Sequence, residues 1–297
     1  MEQQITITYY HHSGFSAAVN NRLLVFDYWR GEHGEVPEEK AITAEVLAQY
    51  EKVYVLISHE HQDHFDEIVY DWRKLPGVDV TYIVAYDMPV AKRGKRMAPG
   101  DTLTFDGMTV TAYESTDLGV SFLVKVDGMS IFHAGDLNFW HWRDESTTRE
   151  IAEAEEEFQR AVEPIRQENI DVAFFPVDPR QGQMYDAGAN YFIMSVKPRL
   201  LIPMHYWGRA DLANEFARRS RSRQTEILPM TRVGEKIQVD MEEGGYMTVT
   251  LLTPETPFRA PEPPAEETAN KPEGPLHGYD GNDPFSDTDL PVSFNEE

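Results

Sequence analysis

Val53-Tyr54-Val55-Leu56-Ile57 runs directly into Ser58-His59-Glu60-His61-Gln62-Asp63-His64. The first five residues are β-branched, aromatic or aliphatic, the pattern of a buried strand. The next seven put three histidines and an aspartate where that strand opens into a loop and then a helix. His59 and His61 are two apart, so an extended backbone aims both imidazoles the same way. Asp63 and His64 follow at the turn, in position to face a second ion. Imidazole suits zinc, iron and related ions, and a carboxylate adds charge and hardness. The bland alternative is a polar run capping a helix, which would need this donor set to fall within six positions by chance.

Outward from this stretch the chain alternates. Strands are predicted at Ile5–Tyr10, Leu23–Asp27, Val53–Ile57, Val80–Val84, Thr109–Tyr113, Val120–Val126, Ser130–His133, Val172–Pro176, Leu200–Pro203, Lys236–Val239 and Met247–Leu252. Asp127-Gly128 and Asp106-Gly107 read as two-residue hairpin turns. Helices are predicted at Ile42–Tyr50, Glu67–Leu75, Thr148–Asn169, Ala187–Ser195 and Asp211–Ser222, with Pro164 kinking or ending the longest. Strand-rich segments followed by helix–strand alternation imply sheets covered by helices.

The chain has 297 residues, a formal net charge of −24 and no cysteine. Disulfides, thiolate ligands and a cysteine nucleophile are therefore excluded. From Pro254 onward there are 9 of the 19 prolines and 11 acidic residues against 2 basic ones. We expect a folded domain over residues 1–252 and an acidic, proline-rich, disordered tail over 253–297. Aromatic residues in that tail leave docking on the body, or on a second subunit of a homo-oligomer, open. No signal peptide or membrane span is apparent, so a soluble cytoplasmic protein is expected. The acidic body argues against long nucleic acids. Its basic clusters, Lys92-Arg93-Lys95-Arg96 and Arg218-Arg219-Arg221-Arg223, read as a solvated loop and a solvated helix end.

His-x-His-x-Asp-His after an apolar strand resembles the signature of the metallo-β-lactamase superfamily. The resemblance implies an α+β fold, a four-layer αβ/βα sandwich with its metals at one edge of two packed sheets. Phe132-His133-Ala134-Gly135-Asp136 resembles the strand-end Gly-Asp motif, which implies that Asp136 bridges two metals. Ile202-Pro203-Met204-His205 resembles the last motif, which makes His205 a ligand of the second metal. Leu24-Val25-Phe26-Asp27 resembles an early strand-end aspartate that is structural in the family. The motifs run from Tyr10 to His205. The implied ligands are His59, His61, Asp63, His64, Asp136 and His205, and the implied cofactors are two divalent ions, zinc first, manganese or iron otherwise.

One position departs from the pattern. The family supplies a third histidine to the first metal, yet no histidine lies between His64 and His133. Asp117 is the favoured replacement and Glu114 the alternative, an open position being the third choice. A carboxylate there would shift preference from zinc toward manganese or iron. Asp117 also reads simply as the start of the turn Asp117-Leu118-Gly119.

Tyr10-His11-His12-Ser13-Gly14-Phe15 resembles the start of the branch that includes the ascorbate-phosphate lactonase-like metal-dependent hydrolases. That resemblance puts His12 near the metals without making it a ligand, and His11 on the other face. Trp140, His141 and Trp142 read either as a pocket wall or as an aromatic plug beneath the long helix. Arg180 reads as a pocket-mouth cation for an anionic group or as a surface ion pair. Tyr206 offers a phenol donor, whereas His133 should point into packing. The expected reaction is attack of metal-activated water on an ester, lactone, amide or phosphoester bond of a small substrate, with Asp63 and His12 as catalytic residues. A phosphodiesterase or nuclease, and a non-catalytic metal-binding scaffold, are the alternatives.

Overall fold

The computed structural model describes residues 3–142, 145–220, 222–242 and 245–253. The chain divides into two units, Met1–Pro254 and Glu255–Glu297. Apart from Thr253, the expected tail over 253–297 lies outside the described residues.

The first half is strand-rich. It holds β1 (Gln3–Tyr9), β2 (Phe15–Val19), β3 (Arg22–Phe26), β4 (Lys52–Ile57), β5 (Val80–Ala85), β6 (Lys95–Met97), β7 (Thr102–Phe105), β8 (Met108–Glu114), β9 (Val120–Val126) and β10 (Met129–His133). The second half adds β11 (Val172–Pro176), β12 (Leu200–Met204), β13 (Glu226–Ile227), β14 (Lys236–Met241) and β15 (Met247–Leu251). The helices are α1 (Ala44–Leu47), α2 (Thr148–Val162), α3 (Ala187–Ser195) and α4 (Ala210–Arg219). One sheet has the order β15-β14-β1-β2-β3-β4-β5-β6, the other β13-β12-β11-β10-β9-β8-β7. β3 through β6 run parallel, as do β10 through β13.

Side-chain alternation explains the layering. On the second sheet, Phe174 and His133 face the first, where Phe174 stacks on Phe15 at 4.2 Å and His133 on Phe26 at 5.3 Å. Their neighbours Phe175 and Phe132 point the other way, onto Phe192 of α3 at 4.6 and 5.3 Å. On the outside of the first sheet, Tyr82 of β5 stacks on Tyr70 at 4.8 Å. Helix, sheet, sheet and helix therefore form four layers, an α+β sandwich. Asp127 and Gly128 both take positive φ (47° and 83°) in the β9–β10 turn, as a two-residue hairpin requires.

Several elements differ from the sequence reading. The helix expected over Ile42–Tyr50 contracts to the single turn α1, and Glu67–Lys74 is a 3-10 helix in which the Asp66 side chain accepts from Ile68 N. α2 opens with a capping box between Thr147 and Glu150, and a separate 3-10 segment, Glu163–Gln167, begins around Pro164. Lys95 and Arg96 lie on the edge strand β6 rather than in a loop. There Arg96 donates to the carbonyls of Tyr86, Met88 and Pro89. No helix among the described residues is long and apolar enough to cross a membrane.

Candidate metal centre

Parallel strands with their carboxyl ends on one edge create a place where strand-end residues converge. Asp27 follows β3, Ser58 to His64 follow β4, Asp136 follows β10, and His205 follows β12. His12 comes in after β1 and Asp117 after β8. Two glycines allow the loops to close on Ser58. At Gly119 (φ 76°) a Cβ would lie 1.9 Å from the Ser58 carbonyl oxygen, and at Gly135 (φ 54°) 2.7 Å from the Ser58 Cβ. Four non-glycine residues here also adopt left-handed backbone: His12 (φ 53°), Asp27 (40°), His205 (61°) and Trp207 (48°).

Among the described residues, three donor sets have ligand atoms within 4.8 Å of one another: His12, Asp63, His64 and His205; His59, His64 and Asp136; and His61, Asp117 and Asp136. Asp136 Oδ1 lies 3.0 Å from His64 Nε2 and 3.3 Å from His205 Nε2. Asp63 Oδ2 lies 3.9 and 3.7 Å from the same two nitrogens. Tetrahedral coordination at about 2.0–2.2 Å spaces donors by about 3.3–3.6 Å, so these four atoms are close to a zinc-like shell. The other oxygen of Asp136, Oδ2, is 3.5 Å from His59 Nε2, which in turn lies 3.0 Å from His61 Nδ1. One carboxylate thus presents an oxygen to each half of the cluster.

The ring orientations are fixed from behind. Asp27, 1% exposed, accepts from Ser58 N at 2.8 Å and Ser58 Oγ at 2.6 Å, and its Oδ2 is 2.8 Å from His64 Nδ1. Asp178 lies equally deep, 2.9 Å from His205 Nδ1. A carboxylate on one ring nitrogen places the proton there and leaves the other nitrogen's lone pair facing inward. His64 Nε2, His205 Nε2 and Asp136 Oδ1 are buried without a hydrogen-bond partner. A buried set of this kind, imidazole nitrogens with carboxylate oxygens, is the donor chemistry of a divalent cation.

Electrostatics agree. Burial, then the neighbouring His205, pushes the His12 imidazole down to about 3; burial and then His64 bring His59 to about 3 as well. Both are neutral near pH 7, the state a ligand or hydrogen-bonding imidazole needs. Burial raises the Asp136 carboxyl, but His64 and His205 outweigh it and hold the group well below the usual range. His64 goes the opposite way: burial pulls it down, and Asp136 with Asp27 raises it well above its ordinary value, so a cation bound between His64 and Asp136 would have to displace the Nε2 proton before that lone pair is free.

The cluster forms the floor of a cleft of about 390 Å³ lined by His61, Asp63, Thr116, Asp117, Asp136, Trp140, Trp142, Arg180 and Trp207. Of the two carboxylates weighed for the missing histidine, Asp117 lies there. Glu114 pairs with Val120 at the end of β8 and belongs to none of the donor sets. His12 is buried with Nε2 3.2 Å from Asp63 Oδ2. Trp140 and Arg180 line the cleft, but Tyr206 does not. Its phenol is 1% exposed and donates to the Met230 carbonyl, because its ring packs beside Tyr9 beneath the site. His141 is likewise buried, with its ring 4.5 Å from Phe139, and takes the plug reading rather than the wall. His133 sits in packing, with Nε2 donating to the Ser13 carbonyl. The sequence reading missed Ser58, Thr116, Trp207 and Asp178 as parts of this edge. Asp178 carried a usable signal, a carboxylate just past an apolar strand, as Asp27 does.

Residues 6–155 match the model of a β-lactamase superfamily domain. The chain belongs to that superfamily. It is 26% identical over 215 residues to a UPF0173 metal-dependent hydrolase of Pyrobaculum calidifontis, a match covering 67% of this chain and 83% of that one. A UPF0173 metal-dependent hydrolase of Opitutus terrae is 27% identical over 226 residues, covering 67% and 84%. Among solved structures, Igni18, a metallo hydrolase of Ignicoccus hospitalis, superposes with a TM-score of 0.58 at 18% identity, covering 79% of this chain and 98% of that one. The metallo-β-lactamase fold protein YhfI of Bacillus subtilis gives 0.52 at 14% identity, covering 84% and 100%. At such identities these structures speak for the fold, which is the metallo-β-lactamase sandwich.

Proposed function

We propose that this chain hydrolyses an ester, lactone, amide or phosphoester bond of a small substrate at a centre built for two divalent ions. Family membership and its relatives make the chain a metal-dependent hydrolase of the superfamily. Asp136 carries the two-ion reading, because its two oxygens face two separate sets of donors. One half would be held by His59, His61, Asp117 and Asp136, the other by Asp63, His64, His205 and Asp136. Each half offers two imidazoles and two carboxylates, so either suits zinc, while the Asp117 oxygen in place of a third histidine also makes the first hospitable to manganese or iron. Bound divalent ions polarise the scissile bond and bring the pKa of water from its bulk value toward ~7.

The protein's own groups do the rest. Asp63 is partly exposed to the cleft and lies where it can orient the attacking water and take its proton. Neutral His12, buried behind it, sets Nε2 3.2 Å from Asp63 Oδ2 and backs that carboxylate. Trp140, Trp142 and Trp207 narrow the cleft and limit bulk water. A cysteine-free, acidic chain is in keeping with a cytoplasmic enzyme acting on small molecules rather than on long nucleic acids.

Elemental analysis of protein purified without chelator, beside Asp136→Ala and Asp63→Asn, tests this. We expect about two ions per chain, fewer in Asp136→Ala, and loss of ester hydrolysis in both variants. One ion or none in the unmodified protein, with no hydrolysis after zinc or manganese is added, would sink the reading.

A further inference from the structure

One wall of the cleft holds a cation framed by indoles. The guanidinium carbon of Arg180 lies 4.9 Å from the ring centre of Trp207, 5.8 Å from that of Trp142 and 6.0 Å from that of Trp140. Arg180 Nε and Nη2 donate to the buried carboxylate of Asp178. No described protein group accepts from Nη1. About half the side chain is exposed. The guanidinium is therefore pinned along one edge and open along another.

The frame is rigid. Trp140 Nε1 donates to the Asp136 carbonyl at 2.8 Å, and Trp207 Nε1 to Asp178 Oδ2 at 3.3 Å. A buried amide pair ties the two loops together: Asn138 Nδ2 donates to Gln181 Oε1 at 3.0 Å, and Gln181 Nε2 to the Phe139 carbonyl at 2.6 Å. Asp178 Oδ2 also meets His205 Nδ1 at 2.9 Å, so one carboxylate oxygen joins the open cation to an imidazole of the cluster. An anion taken by Arg180 would share the cleft of about 390 Å³ with Asp63, Asp117 and Asp136.

Building on the hydrolase reading, we propose that the cleft selects substrates carrying a carboxylate or phosphate close to the scissile bond, with the free edge of Arg180 as the anion-recognition group and the three tryptophans walling in the attached apolar part. Long-range charge works against anions here, because the chain carries a net −24. Local recognition must supply the affinity, and a guanidinium between apolar ring faces binds an oxyanion more strongly than one in open water. Loss of one charge-assisted hydrogen bond corresponds to about 10- to 150-fold.

The test compares 4-nitrophenyl succinate, whose acyl part ends in a carboxylate, with neutral 4-nitrophenyl butyrate on the metal-loaded enzyme. We expect kcat/KM to favour the succinate and that preference to collapse about 30-fold in Arg180→Gln through KM, with partial retention in Arg180→Lys. An equal fall on both esters would assign Arg180 a structural role through Asp178 and overturn the proposal. In parallel, tryptophan fluorescence is titrated with succinate, inorganic phosphate and neutral succinamide. Saturable quenching by an anion, absent with succinamide and lost in Arg180→Gln, supports the proposal, and which anion quenches tells carboxylate from phosphate. Equal response to all three probes overturns it. Should neither ester be hydrolysed, the ester form of the hydrolase reading fails while the fluorescence result still decides whether Arg180 captures anions.

Discussion

Replacing Asp27 by asparagine should weaken metal binding although Asp27 itself touches no ion in our reading. The change preserves shape, and asparagine tolerates the left-handed backbone (φ 40°) found there. What changes is the donor pattern. The carboxylate accepts from Ser58 N and Ser58 Oγ and holds the proton of His64 Nδ1 at 2.8 Å. An amide with its oxygen on Ser58 N turns its NH2 toward His64 Nδ1. That nitrogen must then accept, and the ring proton moves to Nε2, the atom 3.0 Å from Asp136 Oδ1. Nε2 then has no lone pair to offer a cation. Restoring the original tautomer instead sets two N–H groups against each other in a buried site. Either way the loss is that of a charge-assisted hydrogen bond, about 1.5–3 kcal/mol, or about 10- to 150-fold in affinity. Ligand-orienting partners generally contribute about 10- to 100-fold, so the two estimates overlap. Competition of metal-depleted protein with a chromophoric chelator for zinc measures this, with circular dichroism to show that the variant is folded. Wild-type affinity for both ions in a folded Asp27→Asn protein would refute the orientation argument.

Asp117→Ala should bind about one ion less per chain, or bind one at least tenfold more weakly, while Glu114→Ala keeps full metal content; elemental analysis of the two side by side decides, and the reverse pattern would move the ligand to Glu114. Tyr206→Phe should cost about 1–2 kcal/mol of stability by chemical unfolding, since it frees the Met230 carbonyl, and leave KM unchanged. A raised KM with unaltered stability would return Tyr206 to the substrate site. Burial raises the Asp178 carboxyl, but hydrogen bonds from His205 and Arg180 bring it to about 2, below its ordinary 3.8. A carboxyl depressed on folding stabilises fully above its unfolded pKa and loses that contribution as pH falls through the folded one, here between about 4 and 2. In metal-depleted protein the stability gap between wild type and Asp178→Asn should therefore narrow by roughly 2 kcal/mol across that window. A gap constant from pH 5 to pH 2 would contradict the assignment.

Legibility in the sequence followed how local each signal was. Val53–Ile57 and the histidines after it announce a buried strand and its donors within a dozen residues, and the Asp-Gly turns fix the β7–β8 and β9–β10 hairpins. β2 escaped because Phe15-Ser-Ala-Ala-Val has little β-branched content. It is a strand because β1 and β3 flank it on both sides. β6 and β13 are short edge pieces whose pairing is decided by a neighbour rather than by their own residues. Among site residues, Tyr206 looked available because it follows His205. The left-handed backbone at His205 turns the chain, which sends Tyr206 inward and Trp207 toward the cleft. Beyond its local bond to Arg180, Asp178 reaches His205 and Trp207 across 27 and 29 residues. Spacing rules cannot register such a contact, whereas three-dimensional convergence at a sheet edge makes it immediate.

That convergence explains why the site tolerates so many unfavourable local choices. His12, Asp27, His205 and Trp207 hold left-handed backbone at about 1–3 kcal/mol each, and buried carboxylates add desolvation. Turn hydrogen bonds such as Gly14 N to the His11 carbonyl and Arg209 N to the Tyr206 carbonyl offset only part of this. The compensation lies in the two sheets, whose strands β3, β4, β10, β11 and β12 are buried along nearly their whole length and anchor every loop at its root. A loop held at its root by a close-packed strand cannot relax its strain without unpairing that strand, so the donors stay directed at one point. The same argument extends to the cleft wall, where Arg180 and the indoles are tied to the strand ends through Asp178, Asn138 and Gln181. The donor cluster and Arg180 are in this sense one rigid unit, with Asp178 as the side chain that belongs to both.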